Sequence, residues 1–173
     1  MIRTGAREFG DRDVRLREIT MADAPDLYRW RMDDTSRPMF RSTEPVPYET
    51  HLAYLGRYFE AGNTDRWFVI EEYAAPVGSI VLYNIDTAGG EAEWGRLVIA
   101  PEHRSRGLAS RALALLVGHA RDLGLRRLRC EVKEGNLHAD RLYRKMGFVE
   151  SGAEEVGQQR FLQLHLDLGK PAE

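Results

Sequence analysis

The sequence predicts an α/β domain with a twisted, mixed but mostly antiparallel sheet of six to seven strands and about four flanking helices. The 173 residues, of which 43% are hydrophobic and 30% charged, have the size and composition of one globular domain. Segments with strand alternation and segments with helical spacing follow one another in the order β-α-α-β-β-β-α-β-α-β-β. We expect a single domain, 1–173, in which 1–13 form a loosely ordered N-terminal extension.

The first three elements are marked by local patterns. Residues 14–19 alternate apolar and polar side chains, as a half-buried strand does. Thr20 followed by Asp23 resembles a helix N-cap with an acidic partner, which predicts a helix as far as residue 32. Residues 48–60 carry apolar side chains at helical spacing, which predicts a second helix ending before Gly62.

The remaining elements follow from the same patterns and from the turn residues between them. Strands are expected at 67–70, 79–85, 92–99 and 128–133, and helices at 108–123 and 138–146. A further strand begins at 148, and the last strand spans 162–168. The short turn between the first two of these strands predicts a hairpin.

The charges are unevenly distributed. The chain carries 25 Lys and Arg against 27 Asp and Glu, which argues against a general nucleic-acid binder or a polybasic membrane ligand. The stretch 103–145, however, holds 11 basic and 4 acidic residues. Such a block either holds an anion or forms a solvated helix face, and composition does not decide between the two.

The cysteine, histidine and hydropathy patterns indicate which kinds of bond, metal site and cellular location to expect. Cys130 is the only cysteine and the five histidines are scattered, so the sequence predicts neither a disulfide nor a metal site. Residues 1–13 lack the apolar stretch of a signal peptide, and no apolar run approaches the length of a membrane span. We expect a soluble cytoplasmic protein, monomeric or homodimeric, without a metal, nucleic-acid or membrane partner.

A short loop between a predicted strand and a predicted helix has the chemistry of an anion site. It reads Arg104-Ser-Arg-Gly107-Leu-Ala109. Its small residues permit a sharp turn and close approach of the backbone, and the free N–H groups of the helix start converge on one point at the positive end of the helix dipole. The loop lacks the Gly-Lys-Ser/Thr of a P-loop and the GxGxxG of a Rossmann turn. It is a pyrophosphate site in outline, or else an ordinary turn.

A second segment, 136–148, follows the loop after one further strand. In its short helix Ala139, Leu142 and Met146 share the core-facing side. The neighbouring Tyr143 either presents its hydroxyl at the mouth of the adjacent strands or packs as a half-buried core residue.

Together the two segments resemble the GCN5-related N-acetyltransferase superfamily. The resemblance rests on Arg104-x-x-Gly107-x-Ala109 followed by Asn136-x-x-Ala139-x-x-Leu142-Tyr143-x-Lys145-x-Gly147-Phe148, in a β-loop-α-β-α context. It is specific over residues 93–148 and extends as element order over nearly the whole chain. Ala109 is a mild departure, since many members have glycine there. The resemblance implies an acetyl-CoA-dependent N-acetyltransferase whose central strands splay apart, with the thioester in the gap.

The resemblance also implies roles for individual residues. The pyrophosphate of acetyl-CoA, the implied cosubstrate, would be held by the backbone of the loop and helix start, namely Arg104, Ser105, Arg106, Gly107, Leu108, Ala109 and Ser110. The side chains of Arg104 and Arg106, with that of Arg111, would face the CoA phosphates. The backbone of Leu97, Val98 and Ile99 would pair with the pantetheine arm, which Asn136 would contact unless it braces the loop. Tyr143 would protonate the departing CoA thiolate.

Acetyl transfer requires a neutral amine, a polarised carbonyl and a stabilised leaving group. Glu93, just ahead of the splayed strand, is the candidate base. In the alternative, a chain of water molecules removes the proton and Glu93 is an ordinary exposed carboxylate. A backbone N–H near 97–99 would receive the developing oxyanion. Cys130 lies in a predicted strand without a histidine beside it and is expected in the core, so we predict direct transfer without an acyl-enzyme.

The N-terminal third bears on the amine acceptor. The order of several residues is similar to that in acetyltransferases that modify nucleotide-linked 4-amino sugars of the pseudaminic-acid type. These residues are Trp30-Arg31, Phe40 after a methionine, His51 on the second helix and Glu93-Trp94-Gly95. In that comparison Arg31 would meet a phosphate, Phe40 or Trp30 would stack on a base or sugar, and His51 would bond a hydroxyl. The other interpretation places Trp30 and Phe40 in the core and His51 on a solvated helix face.

Three alternatives stay open. Ribosomal-protein N-terminal acetyltransferases share the early Trp-Arg region and need an open groove for a peptide. Polyamine acetyltransferases need a carboxylate-lined acceptor site, for which Asp33, Asp34, Glu71 and Glu72 are candidates. A CoA-binding sensor without activity is the third, although the presence of Tyr143 and Glu93 argues against it.

Overall fold

A mixed sheet runs through residues 8–169, the part of the chain that the computed structural model describes. Its strands are β1 (Glu8–Gly10), β2 (Val14–Glu18), β3 (Arg66–Glu72), β4 (Ala75–Asp86), β5 (Glu91–Ile99), β6 (Arg127–Lys133), β7 (Val149–Val156) and β8 (Gln159–Asp167). They lie in the order β1-β2-β3-β4-β5-β6-β8-β7, and all neighbours are antiparallel except β5 and β6. The predicted α/β fold with a mostly antiparallel sheet is confirmed, with one strand more than expected within these residues.

The additional strand is β1, which falls in the stretch 1–13 that was expected to be loosely ordered. Residues 8–10 pair with 15–17 of β2. Asp11 closes the turn between the two strands, because its Oδ1 accepts hydrogen bonds from the backbone N–H groups of Asp13 and Val14, both at 2.8 Å. A strand of three residues is too short to show an alternating pattern. The expectation is therefore replaced for 8–13, whereas 1–7 lie outside the described residues.

Helices cover both faces of the sheet. They are α1 (Ala24–Met32) and α2 (Tyr48–Tyr58) on one face, called the front face here, and α3 (Leu108–Asp122) and α4 (Leu137–Lys145) on the other, the back face. On the front, Trp30 and Leu55 pack against Val69 of the sheet. On the back, Leu113 packs among strand residues such as Ile80. Within residues 8–169 no helix combines the length and apolar character needed to cross a bilayer.

The parallel strands β5 and β6 separate along their length. Their ladder consists of residues 91–93 of β5 paired with 127–129 of β6. Beyond this point the remaining residues of β5, 94–99, have no partner strand on that side within the described part of the chain. The splayed central strands that the sequence predicts are thus present, and they leave a wedge-shaped gap.

A β-bulge in β5 lies at this gap. Gly95 pairs with Val81 of β4 and Val98 pairs with Ser79, so β5 has one residue more than β4 over this interval. Arg96, inside the bulge, has a φ of 51°, in the left-handed region that side chains seldom adopt. A bulge bends its strand and increases the local twist, which carries β5 away from β6.

The connection between α1 and α2, residues 33–47, passes over the front face and is called the crossover segment here. At one end Asp33 pairs with Arg104 at 3.1 Å. Further along, Arg41 pairs with Glu131 of β6 at 2.6 Å and with Glu154 of β7 at 2.7 Å. These contacts fix the crossover segment to the loop after β5 on one side of the gap and to β6 and β7 on the other.

Candidate active site

The loop that precedes α3 presents a row of free backbone N–H groups. Within residues 8–169, no group accepts a hydrogen bond from the N–H groups of residues 105–110. Ser105 and Gly107 have left-handed backbone, with φ of 60° and 74°, and alternation of such residues with ordinary ones turns successive N–H groups toward one side. Gly107 is the N-cap of α3, so the positive end of a 15-residue helix adds to the same potential. This geometry fits a pyrophosphate group.

The arginine side chains in and just after this loop form contacts within the chain. Arg104 donates from Nε to the carbonyl of Ile99 at 3.0 Å and pairs with Asp33. Arg106 pairs with Glu72 at 2.9 Å, and Arg111 with Asp11 at 3.2 Å. These three guanidinium groups therefore meet carboxylates of the chain in this structure, and the groups that the loop leaves free are its backbone N–H groups.

One edge of β5 lies open to the gap directly beside this loop. Leu97, Val98 and Ile99 come after the last residue of β5 that pairs with β6, while Val98 and Ile99 stay paired with β4 on the other edge. The free edge can form strand-like hydrogen bonds with an extended chain that carries amide groups. The pantetheine arm of CoA has this character, so the free edge is compatible with the contact that the family resemblance implies for these three residues.

Tyr143 of α4 lies on the back face where the strands part. Its ring packs edge-on against Trp94 of β5, with centroids 4.8 Å apart, and it is 8% exposed. Its hydroxyl forms no hydrogen bond with any residue in the described range 8–169. Burial raises the pKa of Tyr143, and the nearby Cys130 and Tyr83 raise it further, so the hydroxyl stays protonated.

Asn136 and Cys130, which the sequence singled out, both lie near Tyr143. Asn136 is the N-cap of α4, where its side chain accepts a hydrogen bond from the N–H of Ala139 at 3.4 Å. The contact that the structure contains is thus a helix cap, which fixes the helix that carries Tyr143. Cys130 is buried, as expected, and burial raises the pKa of its thiol. A thiol held in its protonated form is a poor nucleophile.

Glu93 lies on the front face beside a groove of about 400 Å³ that runs along β6 and β8. The groove is also lined by Arg129, Glu131, Ser151, Gln163 and His165. Most of its charges are already paired: Arg129 with Glu91 at 2.5 Å, and Glu131 with Arg41. Glu93 accepts a hydrogen bond from Asn84 at 3.2 Å and has no cationic partner within residues 8–169. It is therefore a carboxylate free to meet a cation.

Two of the four residues expected to contact the acceptor belong to the core. Trp30 is fully buried at 0% exposure, so it cannot stack on a ligand. His51 is buried between α1 and α2, where its Nε2 lies 3.1 Å from the carbonyl oxygen of Ala24. Arg31 and Phe40 are partly exposed, and the Arg31 Cζ lies 4.5 Å from the centre of the Phe40 ring. The structure brings these last two together and assigns Trp30 and His51 to packing.

The buried position of His51 predicts a pH dependence of stability. Burial holds the pKa of His51 below its ordinary value, while the hydrogen bond to Ala24 opposes this in part. As the pH falls through the ordinary pKa, about 6.5, the unfolded chain binds the proton more readily and the free energy of unfolding decreases. Urea unfolding between pH 7.5 and 5 should show a steeper decrease for the wild type than for His51→Gln, because the other titratable groups contribute to both. The control is His138→Gln, which removes an exposed histidine; equal slopes for wild type and His51→Gln would contradict the prediction.

The four carboxylates proposed for a polyamine site also have other roles. Asp33 pairs with Arg104, Asp34 with Arg37, Glu71 with Arg15 and Arg17, and Glu72 with Arg106. None of them lines the groove beside Glu93. A carboxylate-lined site made from these residues is therefore replaced by a set of ion pairs that join neighbouring strands and loops.

An aromatic cluster on the front face was missed by the sequence analysis. Tyr54 of α2, Trp67 of β3 and Tyr83 of β4 surround the guanidinium of Arg96. Burial, together with the charges of Glu93 and Glu131, raises the pKa of Tyr83 to about 12. The rings come from three elements, so no local spacing links them. The one available signal was Gly95, whose lack of a side chain leaves room for the Tyr83 hydroxyl, 3.2 Å from where a Cβ would be.

Comparisons with known proteins agree on one family. The sequence profile described as "Acetyltransferase (GNAT) family" matches residues 24–148. Spermidine N(1)-acetyltransferase from Escherichia coli (strain K12) is 28% identical over 142 residues, which are 80% of this chain and 74% of that protein.

Solved structures are similar in fold. The ribosomal L7/L12 alpha-N-protein acetyltransferase RimL, in its apo form, has a TM-score of 0.79 at 15% identity, with 94% of each chain covered. Spermidine N-acetyltransferase from Vibrio cholerae, in complex with CoA and spermine, has a TM-score of 0.83 at 24% identity, covering 92% of this chain and 98% of that one. Within residues 8–169 there is no group of three or more histidine, cysteine or acidic side chains able to hold a metal ion.

Proposed function

The chain belongs to the acetyltransferase (GNAT) family, and from this membership we propose that it transfers the acetyl group of acetyl-CoA directly to a primary amine bound on the front face of the sheet. As a member it is an acetyl-CoA-dependent N-acetyltransferase. The observation that carries the proposal is the row of free N–H groups at 105–110 beside a splayed strand pair. This arrangement supports binding of the pyrophosphate by the loop and of the pantetheine arm by the edge of β5.

The groups around the gap support each step of a direct transfer. Glu93 takes a proton from the amine, whose nitrogen then attacks the thioester carbonyl as the new C–N bond forms. A backbone N–H of the β5 bulge near Leu97 stabilises the oxyanion. The C–S bond then breaks, and Tyr143 gives its proton to the CoA thiolate. Because Cys130 stays protonated, the step needs no acyl-enzyme.

The acceptor we favour is the α-amine of a peptide or protein. The free carboxylate of the groove, Glu93, suits a single ammonium group, whereas the other groove charges are paired. The groove also lies open along β6 and β8, as a peptide requires. The solved structure of the L7/L12 N-terminal acetyltransferase provides a relative in fold with such an acceptor.

A polyamine is the second candidate, since spermidine N(1)-acetyltransferase from Escherichia coli is similar to this chain in sequence. A nucleotide-linked amino sugar, the lead from the sequence resemblance, is third. Two of the residues on which it depended, Trp30 and His51, are buried in the core, while Arg31 and Phe40 still support it.

The direct test follows free thiol after acetyl-CoA is mixed with an N-terminal peptide, spermidine or a UDP-4-amino sugar. We expect thiol release with at least one amine, fastest with the peptide. Thermal stabilisation by CoA without thiol release on any amine would instead support the CoA sensor. Faster release with spermidine would favour the polyamine candidate.

Replacing Glu93 by Gln should lower kcat/KM for the amine by roughly 100-fold, because the variant cannot accept the proton of the ammonium. Acetyl-CoA binding should not change, since Glu93 lies on the front face, away from the phosphate loop. Glu91→Gln is the matched control: it lies on the same strand but is paired with Arg129. Equal losses in both variants would show that the effect is not a base at Glu93.

A further inference from the structure

Arg96 is held in a fixed position on the front face by aromatic rings. Its Cζ lies 5.4 Å from the ring centre of Tyr54, 5.9 Å from that of Trp67 and 6.0 Å from that of Tyr83. Its Nη1 donates a hydrogen bond to the Tyr54 hydroxyl. Aromatic contacts of this kind fix a guanidinium without neutralising its charge.

The charge of Arg96 is also uncompensated. Within residues 8–169 no carboxylate pairs with it, and its other N–H groups donate to no protein acceptor. The side chain is exposed, and Tyr54 beside it is 37% exposed, so the group is reachable from solvent. In contrast Arg41 and Arg104, also at the front, each form ion pairs.

A second guanidinium without a carboxylate partner in the described residues lies near Arg96. Arg31 donates from Nη2 to the carbonyl of Ser42 at 2.6 Å, and its Nη1 is buried without a partner. Burial, and then the charge of Arg96, lowers the pKa of Arg31. The two side chains lie over rings of the same front cluster, Arg31 over Phe40 and Arg96 beside Tyr83. Like charges in one region raise the free energy of the folded state, and a bound anion reduces this repulsion.

This positive pair lies beside the proposed base. Tyr83 stands opposite Glu93 in the β4–β5 ladder, and the same ring contacts Arg96. The acceptor side of the sheet therefore offers the free carboxylate of Glu93 and, across Tyr83, the guanidinium of Arg96. An acceptor that carries both a cation and an anion would match this distribution.

We propose that Arg96, together with Arg31, forms an anion subsite within the acceptor site, so that the preferred acceptor carries a carboxylate or a phosphate close to its reacting amine. The inference rests on the proposed function and narrows its substrate class. The ammonium lies at Glu93 and the acidic group at Arg96, which forms charge-assisted hydrogen bonds with it. A peptide with an acidic residue after its first, or a phosphorylated amino sugar, supplies both groups; spermidine does not.

Matched acceptor pairs test the subsite through thiol release. The carboxylate pair is the tripeptide amides Ala-Asp-Ala and Ala-Asn-Ala; the phosphate pair is glucosamine 6-phosphate and glucosamine. The wild type should prefer the acidic member of one pair by roughly 10- to 100-fold in kcat/KM, and the pair with the larger ratio identifies the source of the anion. Arg96→Met, which keeps an unbranched side chain among the rings, should lower kcat/KM for the acidic member much more than for the neutral member and so abolish that preference. Arg96→Lys should retain part of it.

Arg57→Met is the matched control. Arg57 lies 5.8 Å from the same Tyr54 ring and is exposed, so the variant makes the same change in charge outside the subsite and should keep the preference. A wild type that treats both members of each pair alike, or an Arg96→Met that keeps the preference, overturns the proposal.

Failure of the proposed function has a different signature, since no amine then releases thiol. In that case inorganic phosphate is added to the CoA complex, in which the loop amides are already occupied. The subsite predicts that phosphate raises the Tm of the wild-type complex and not that of the Arg96→Met complex; equal shifts overturn it.

Discussion

Tyr143→Phe should lower kcat by roughly 100- to 1000-fold, since protonation of the leaving group is worth about this much when a positioned acid performs it. The phenyl ring keeps the edge-on contact with Trp94, so the fold and the affinity for acetyl-CoA should not change. Stopped-flow measurement of thiol release, with acetyl-CoA binding measured by calorimetry, separates the two effects. Burial raises the pKa of Tyr143 above its ordinary value, so wild-type activity should not fall through deprotonation of this hydroxyl in the neutral to mildly alkaline range.

Tyr28→Phe provides the control for loss of a hydroxyl. The Tyr28 hydroxyl donates to the carbonyl of Val46 at 2.8 Å, away from the gap, so this variant should keep the wild-type kcat. A Tyr143→Phe enzyme with the wild-type rate would remove the acid role from this residue. A loss that comes with a lower Tm would point to packing instead.

Ala109→Glu should weaken acetyl-CoA binding by roughly 100-fold or more. The new carboxylate would stand among the free N–H groups of 105–110, where it repels the pyrophosphate and competes for its hydrogen bonds. Without acetyl-CoA the same change should raise the free energy of unfolding slightly, by about 0.3–1 kcal/mol, because a negative charge in the first turn of a helix interacts favourably with the helix dipole. The result that identifies the phosphate site is a higher Tm without acetyl-CoA together with a lower affinity for acetyl-CoA.

The control for this variant lies on the same helix. Ala114 is exposed in the middle of α3, so Ala114→Glu adds the same side chain away from the helix start and should leave acetyl-CoA affinity unchanged. Equal weakening in both variants would indicate a general effect of net charge. Unchanged affinity in Ala109→Glu would contradict the phosphate site at this loop.

The parts of the molecule that could be predicted from the sequence are those defined by local patterns. The loop before α3 combines a helix start, Gly107 and a preceding strand, all within a few residues, and the structure has it as predicted. The helix with Tyr143 was likewise marked by spacing alone. The splay of β5 from β6 was expected only through the family resemblance, because strand patterns do not reveal where a ladder stops.

The acceptor side could not be predicted, because its contacts join residues far apart in the chain. In the sequence, Trp30 and His51 are equally compatible with a binding site and with a core. The structure buries both residues, so they belong to the core. Arg104 was expected at phosphate, but Asp33 on the crossover segment pairs with it. The cluster around Arg96 depends on rings from three elements, which no spacing rule connects.

The extra residue in β5 also reverses the phase of that strand. Before the bulge the even-numbered Ala92 and Trp94 belong to the back core, whereas after it the even-numbered Val98 and Ala100 belong to the front core. One strand thus serves two hydrophobic layers in succession. Without a bulge, uninterrupted alternation through the same residues would put Val98 in the back layer, where it does not belong. The bulge at Arg96, and not only the composition of β5, therefore decides which layer the end of the strand serves.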